Sequence, residues 1–310
     1  MKLLSIIIPC YNEQENIADF YAEVLKNESY FTDNNFSLEF CFIDDGSSDG
    51  TLAEIKKLKT QDERVGYLSF SRNFGKEAAI YAGLNKANGD YLVFMDADLQ
   101  DPPSLLPDML NLINEGYDSV ATRRVNRKGE PPVRSFFARR FYKLMKRISK
   151  AEIVDGARDY RLMTRQMADA ILKMPEYNRF TKGIFGWIGF KTKWLEFENI
   201  ERRKGETKWS FWKLVSYSLD GITAFSTAPL RMASFFGILL CLIAFIFINI
   251  IVIRALIFGD PTSGWPSLAS IILLVSGVQL FCIGIIGEYL AKTYMEVKNR
   301  PIYLVKEESQ

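Results

Sequence analysis

Between Leu3 and Val125, short apolar runs alternate with stretches whose apolar residues recur at helical spacing. The runs Leu3 to Ile8, Leu38 to Ile43, Gly66 to Ser71, Tyr91 to Met95 and Ser119 to Thr122 read as mostly parallel strands buried on both faces. Residues 15–27, 52–61, 76–88 and 103–115 between them are predicted as helices. This alternation predicts an α/β fold built on a doubly wound, mostly parallel sheet. Ligands of such sheets bind beyond the carboxyl ends of the strands. The densest polar motifs, PCYNE, DDGSSDGT, SRNFGK and DADLQDPP, fall there and predict one cleft. The opening MKLLSIIIPCYNE belongs to this pattern, because its apolar run stops at Pro9 without a small-residue cleavage site.

The pattern then changes. From Arg123 to Lys150, aromatic and aliphatic residues intersperse with Arg134, Arg139, Arg140, Lys143, Lys146 and Arg147. That mixture suits an amphipathic helix at an anionic lipid surface, or a solvated basic helix packed on the sheet. Trp209 to Met232 is aromatic in the manner of an interfacial helix. Ala233 to Ile253 and Pro261 to Gly287 carry no charge, and each meets the roughly 20 residues needed to span hydrocarbon. Two spans return both ends of the chain to one side. Lys213, Arg231, Lys292, Lys298, Arg300 and Lys306 lie on that side, whereas the loop from Arg254 to Pro266 has one Arg and one Asp. The positive-inside tendency therefore predicts cytoplasmic termini and an inner, cytoplasmic-membrane location. The expected organisation is a cytoplasmic catalytic domain at 1–208, an interfacial helix at 209–232, a two-helix membrane hairpin at 233–290 and a cytoplasmic tail at 291–310.

Composition narrows the chemistry. A net charge of +2 gives no global basic field and argues against nucleic acid as a partner. Histidine is absent, which removes a Ser-His-Asp triad and the usual general base. Carboxylates, Lys, Arg or a metal must carry any catalysis. The four cysteines lie far apart and read as reduced.

The sharpest motif is Asp96-Ala97-Asp98, directly after an apolar strand. Two carboxylates so spaced suit Mg²⁺ or Mn²⁺ bridging a diphosphate, although an isolated Asp-x-Asp is often only a turn or a helix cap. Asp44 and Asp45 open DDGSSDGT, where carboxylates would accept hydrogen bonds from a nucleobase; the plainer reading is a glycine turn with Ser48 or Asp49 capping the next helix. Pro9, Tyr11, Asn12 and Glu13 offer a ring and polar groups beside the same cleft, unless Asn12 only caps a helix.

Taken together and in order, PCYNE, DDGSSDGT, SRNFGKEAA, GD before an apolar strand and MDADLQDPP resemble the family 2 glycosyltransferases of GT-A fold. DYRLM at 159–163, ERRKGETKWS at 201–210, APLR before the apolar runs and the terminal RPIYLV resemble the polyisoprenyl-phosphate subgroup, with its bactoprenyl glucosyltransferases and dolichyl-phosphate mannose synthases. The resemblance implies that Pro9, Tyr11, Glu13, Asp44 and Asp45 line a nucleoside pocket. It places the metal on Asp96 and Asp98 with Gln100 nearby, and the acceptor phosphate or diphosphate near Arg123, Arg134, Arg202, Arg203 and Lys208. The other reading of Arg134 is ordinary solvation. For the 202–208 cluster it is headgroup binding.

Asp159 resembles the carboxylate assigned as catalytic base in these enzymes. A phosphate monoester is already largely anionic near neutral pH, so its attack calls for positioning and charge neutralisation more than for deprotonation. The structural alternative is an ion pair of Asp159 with Arg158 or Arg161. The expected reaction is inverting, metal-assisted transfer of a sugar, glucose from UDP-glucose, to undecaprenyl phosphate. The alternatives are another lipid-acceptor transferase of the family, or a non-catalytic nucleotide-sugar-binding membrane scaffold. A homotetramer and a flippase partner are expectations from the resemblance alone.

Overall fold

The computed structural model describes residues 1–124, 154, 156–197, 222–224, 226–258 and 264–309. Their contacts divide into two compact units, one of 1–221 with 300–310 and one of 222–299.

The first unit is built on an eight-stranded sheet of order β7-β5-β6-β4-β1-β2-β3-β8. In chain order the strands are β1 (Lys2–Cys10), β2 (Phe36–Asp44), β3 (Val65–Phe70), β4 (Tyr91–Phe94), β5 (Ser119–Arg124), β6 (Ala157–Thr164), β7 (Thr192–Phe197) and β8 (Val305–Glu308). The helices are α1 (Ile17–Leu25), α2 (Glu28–Asp33), α3 (Thr51–Gln61), α4 (Lys76–Lys86), α5 (Leu106–Asn114), α6 (Arg165–Leu172) and α7 (Thr181–Trp187). The α/β class and the five strands expected between Leu3 and Val125 are present, with no end shifted by more than two residues.

β1 shows why the central strands are predominantly apolar. Leu4, Ile6 and Ile8 join one large core cluster with Phe20 of α1 and Ile55 of α3, while Ile7 faces away from it. On that other side α4 comes so close that a Cβ on Gly83 would meet Ile7 Cγ2 at 2.1 Å. Side chains on both faces of a strand so covered are mostly apolar, and the one buried hydroxyl of this run, Ser5, is satisfied by accepting the Gly89 N–H at 2.7 Å. Each such fully buried isoleucine contributes roughly 1.5–3 kcal/mol.

The strands β1 to β4 run parallel, so their carboxyl ends share one edge of the sheet. Sequence patterning missed β6, β7 and β8. β6 runs antiparallel between β4 and β5, which brings its amino end to that same edge. β7 pairs parallel to β5, and β8 closes the β3 edge antiparallel.

The second unit holds α8 (Ala228–Phe258) and α9 (Trp265–Val297), which touch each other. Within them, Ala228–Phe247 and Leu274–Val297 are long and apolar enough to cross a membrane. Their apolar side chains point outward: Phe245 is 67% exposed and Leu280 69%. So large an apolar surface is not the core of a soluble domain; it calls for an apolar surrounding.

Candidate active site

The turn after β1 and the turn after β2 are tied together. Asn12, at φ +53°, receives the Ser48 N–H on its Oδ1 at 2.8 Å and donates its own N–H to Ser47 Oγ at 2.9 Å. Asn12 is thus a cross-turn tie and not a helix cap. Asp49, not Ser48, serves the start of α3, accepting the Thr51 N–H at 3.0 Å. Gly46 sits at φ +66° with the Arg72 backbone where a Cβ would be, 2.4 Å away. That close approach lays the loop after β3 across the turn after β2.

Within this frame Asp44 is buried, accepting from Ser69 Oγ at 2.7 Å and from the Ser47 N–H at 3.1 Å. Asp45 takes the Phe74 N–H at 2.6 Å and the Gly75 N–H at 3.0 Å. Burial pushes the Asp45 carboxyl up to about 6, against the pull of those two N–H groups. Tyr11 stands exposed beside them, and Glu13 accepts from the Asn16 side chain at 2.6 Å. Pro9 lies within β1, opposite Ile43 of β2.

Asp159 and Asp96 meet through the sheet register. The last pair of β4 and β6 is Phe94 with Arg161, and two further antiparallel steps set Asp96 opposite Asp159. Lys76, the first residue of α4, joins them: its Nζ lies 2.7 Å from Asp96 Oδ1, 2.8 Å from Asp96 Oδ2 and 2.7 Å from Asp159 Oδ2. Lys182 of α7 reaches Asp159 Oδ1 at 3.7 Å. Burial works against ionising Asp159, yet Lys76 and Lys182 outweigh it and hold the carboxyl far below its ordinary range. For Lys76, burial is likewise overcome by Asp159 and Asp96, and the ammonium stays charged.

Neither arginine expected beside Asp159 pairs with it. Arg158 points to the other face of β6 and binds buried Asp101 through Nε at 2.9 Å and Nη2 at 3.2 Å. Arg161 is held over the rings of Phe185 and Trp194, 4.2 and 5.4 Å from their centres, and donates to Ser119 Oγ at 3.1 Å. Nearby, Asp98 is buried and accepts the Gln100 N–H at 3.1 Å, while Gln100 Oε1 accepts from Arg124 Nη2 at 3.1 Å. Arg123 reaches the same edge but is paired with Glu196 of β7. Arg134, Arg202, Arg203 and Lys208 lie outside the described residues.

Lys76, Lys182 and Asp101 were therefore missed in sequence, and Arg158 was named there but with Asp159 rather than Asp101 as its partner. One signal was available: a lysine in the first turn of a helix opposes the macrodipole and calls for carboxylate partners.

The glycosyl transferase family 2 model matches residues 5–172, from β1 to the end of α6. The chain belongs to that family. CsbB of Bacillus subtilis is 45% identical over 98% of this chain and 92% of its own length. The prophage bactoprenol glucosyl transferase homolog of Escherichia coli is 41% identical over 98% of both chains. The bactoprenol glucosyl transferase of Shigella phage SfV is 40% identical over 99% of both. Among solved structures, mannosyl-3-phosphoglycerate synthase from Rubrobacter xylanophilus aligns with 72% of each chain at TM-score 0.49 and 17% identity, too distant to add to the family assignment. As a family 2 member the chain is a glycosyltransferase, and the matched segment includes the three carboxylates Asp96, Asp98 and Asp159.

Proposed function

We propose that this glycosyltransferase moves glucose from UDP-glucose onto a polyisoprenyl phosphate of the undecaprenyl type, inverting the anomeric carbon. The observation that carries the reading is the strand-end constellation in which Lys76 bridges Asp96 and Asp159 beside Asp98. The acceptor and the sugar are taken from the names of the bactoprenol glucosyl transferase relatives. An outward-facing apolar helix pair suits an acceptor whose chain stays in a bilayer, with the catalytic unit and both termini on the cytoplasmic side.

A divalent cation fits the residues present. Asp96 turns both carboxylate oxygens to the Lys76 ammonium at the cleft surface, and Asp98 brings a second hard-oxygen donor from the same strand end. Among the described residues no third His, Cys, Asp or Glu side chain joins them. When bound, Mg²⁺ or Mn²⁺ neutralises the charge of the departing diphosphate. Asp45 and Asp44 shape the nucleoside side of the cleft. Asp159, kept anionic by Lys76 and Lys182, serves to orient the acceptor rather than to take its proton, because a carboxyl held so far below its ordinary range is a weak base. A lipid phosphate oxygen attacks the anomeric carbon as the bond to the β-phosphate breaks, and UDP leaves with the electron pair. Arg123, and with it Arg134, Arg202, Arg203 and Lys208, supplies guanidinium and ammonium groups suited to the acceptor phosphate.

Purified full-length protein incubated with labelled UDP-glucose, undecaprenyl phosphate and Mg²⁺ should yield a chloroform-soluble glucolipid, abolished by EDTA. Transfer from another nucleotide sugar only would discard glucose; no glycolipid from a panel of donors would discard the acceptor.

Asp45 adds a pH dependence. Its carboxylate is protonated as pH falls through about 6, removing an acceptor from the cleft. UDP-glucose, whose diphosphate stays fully ionised there, is expected to bind progressively more weakly across that range, and Asp45→Asn should flatten the profile. The fold responds in the opposite sense. A carboxyl raised above its unfolded value gives stability that is fully present below that value and lost as pH rises through about 6. Weaker binding on mild acidification is therefore not unfolding driven by Asp45, and equilibrium titration alongside thermal melting separates the two.

A further inference from the structure

The chain beyond α9 returns to the sheet. β8 pairs with β3 through Leu68 with Glu308, Ser69 with Glu307 and Phe70 with Val305, and Leu304 accepts the Ser71 N–H at 2.9 Å. Ion pairs fasten its far end: Lys56 with Glu307 at 2.7 Å and Lys86 with Glu308 at 3.4 Å. Exposed pairs of this kind add little stability. The ring contacts at its near end point towards the cleft. Tyr303 stacks on Phe70 with centroids 4.9 Å apart and planes at 21°. Phe70 in turn meets the edge of Phe74 at 5.7 Å and 88°. Phe74 and Gly75 supply the two backbone N–H groups that fix Asp45.

We propose that Tyr303 is a positioning residue for the nucleotide pocket, acting through Phe70 and Phe74 on the loop that holds Asp45. This rests on the reading of Asp45 as part of that pocket. The rings form an unbroken series from the tail to the loop, and the Arg72 guanidinium lies over the Phe74 ring, 4.0 Å from its centre. With Tyr303 removed, Phe70 loses the stack that fills one of its faces, and the Phe74–Gly75 segment loses its fixed backing. Donor binding should suffer while the chemistry at Asp96 and Asp159 is untouched.

The test uses full-length protein and UDP with Mg²⁺ as the probe, by titration calorimetry, together with donor and acceptor kinetics. Tyr303→Ala is expected to weaken UDP and raise the donor KM by about 5- to 10-fold, the equivalent of one aromatic pair, with kcat and the acceptor KM within about twofold of the parent. Tyr303→Phe keeps the stack and should restore parent values. If Tyr303→Ala does not fold, Tyr303→Leu carries the test: it retains apolar bulk, loses the planar stack and should weaken UDP by about threefold. Unchanged UDP affinity in Tyr303→Ala or Tyr303→Leu, or a Tyr303→Phe protein as weak as the alanine variant, overturns the proposal. Failure of the parent protein to bind UDP would instead overturn the nucleotide reading on which it rests.

Discussion

Lys76→Met is expected to cut sugar transfer on the order of 10²- to 10³-fold, the loss seen when one preorganised electrostatic contact is deleted from an active site. The side chain keeps its length and apolar stem, so only the ammonium shared by Asp96 and Asp159 disappears. Two carboxylates are then left facing each other with Lys182, at 3.7 Å, as the remaining cation on Asp159. Mutual repulsion should displace both and raise the pKa of Asp159, so the variant's activity should fall off on the acid side at a higher pH than the parent's. About a third of the Lys76 side chain is exposed, which places the cluster at the cleft surface rather than in the core. Folding is accordingly expected to survive, as a melting curve would check. Asp159→Asn should be similarly severe, and the pair supplies a cycle. If Lys76 acts by holding Asp159, the double variant will be little worse than either single one. Fully multiplicative losses would separate their roles.

Asp98→Asn should lower transfer by about 10³-fold or more, in the range attributed to loss of a charge-neutralising contact. Asparagine preserves the acceptor oxygen that receives the Gln100 N–H at 3.1 Å, so the turn after β4 should keep its shape. What changes is the charge. The second readout is Mn²⁺ binding in the presence of UDP, followed by electron paramagnetic resonance. Parent-like Mn²⁺ binding in Asp98→Asn would remove Asp98 from the metal site.

The strands that were legible in sequence are those whose burial makes them predominantly apolar. β1 reads as a strand because Ile6, Ile7 and Ile8 are all fully buried, which only a sheet covered on both sides requires. β6 was hidden by its own chemistry. Its segment ARDYRLMT carries Arg158, Asp159 and Arg161, and the last is buried only because two aromatic rings and Ser119 receive it. β7 is a half-exposed edge strand, and β8, with Lys306, Glu307 and Glu308, looks like a solvated tail. Edge strands are short and charged by necessity, so hydrophobic pattern is a poor guide to them. The carboxylates at the cleft were readable because they sit in local motifs. Their partners were not, since Lys76 meets Asp159 only after an unforeseen strand has been inserted between β4 and β5. The same strand explains why an arginine two positions away, the natural guess for Asp159, is not its partner.

The placement of β8 also sets an order of assembly. Every other strand of the sheet is translated before α8 and α9, whereas β8 follows them. Domains fold as units while they are synthesised, at roughly 5–20 residues per second. The nascent catalytic unit must therefore carry an open β3 edge, with the Tyr303 contact unmade, for as long as the ribosome takes to produce the apolar hairpin. The last strand is delivered only by a chain that has already made its membrane-length helices, so maturation of the sheet trails their synthesis.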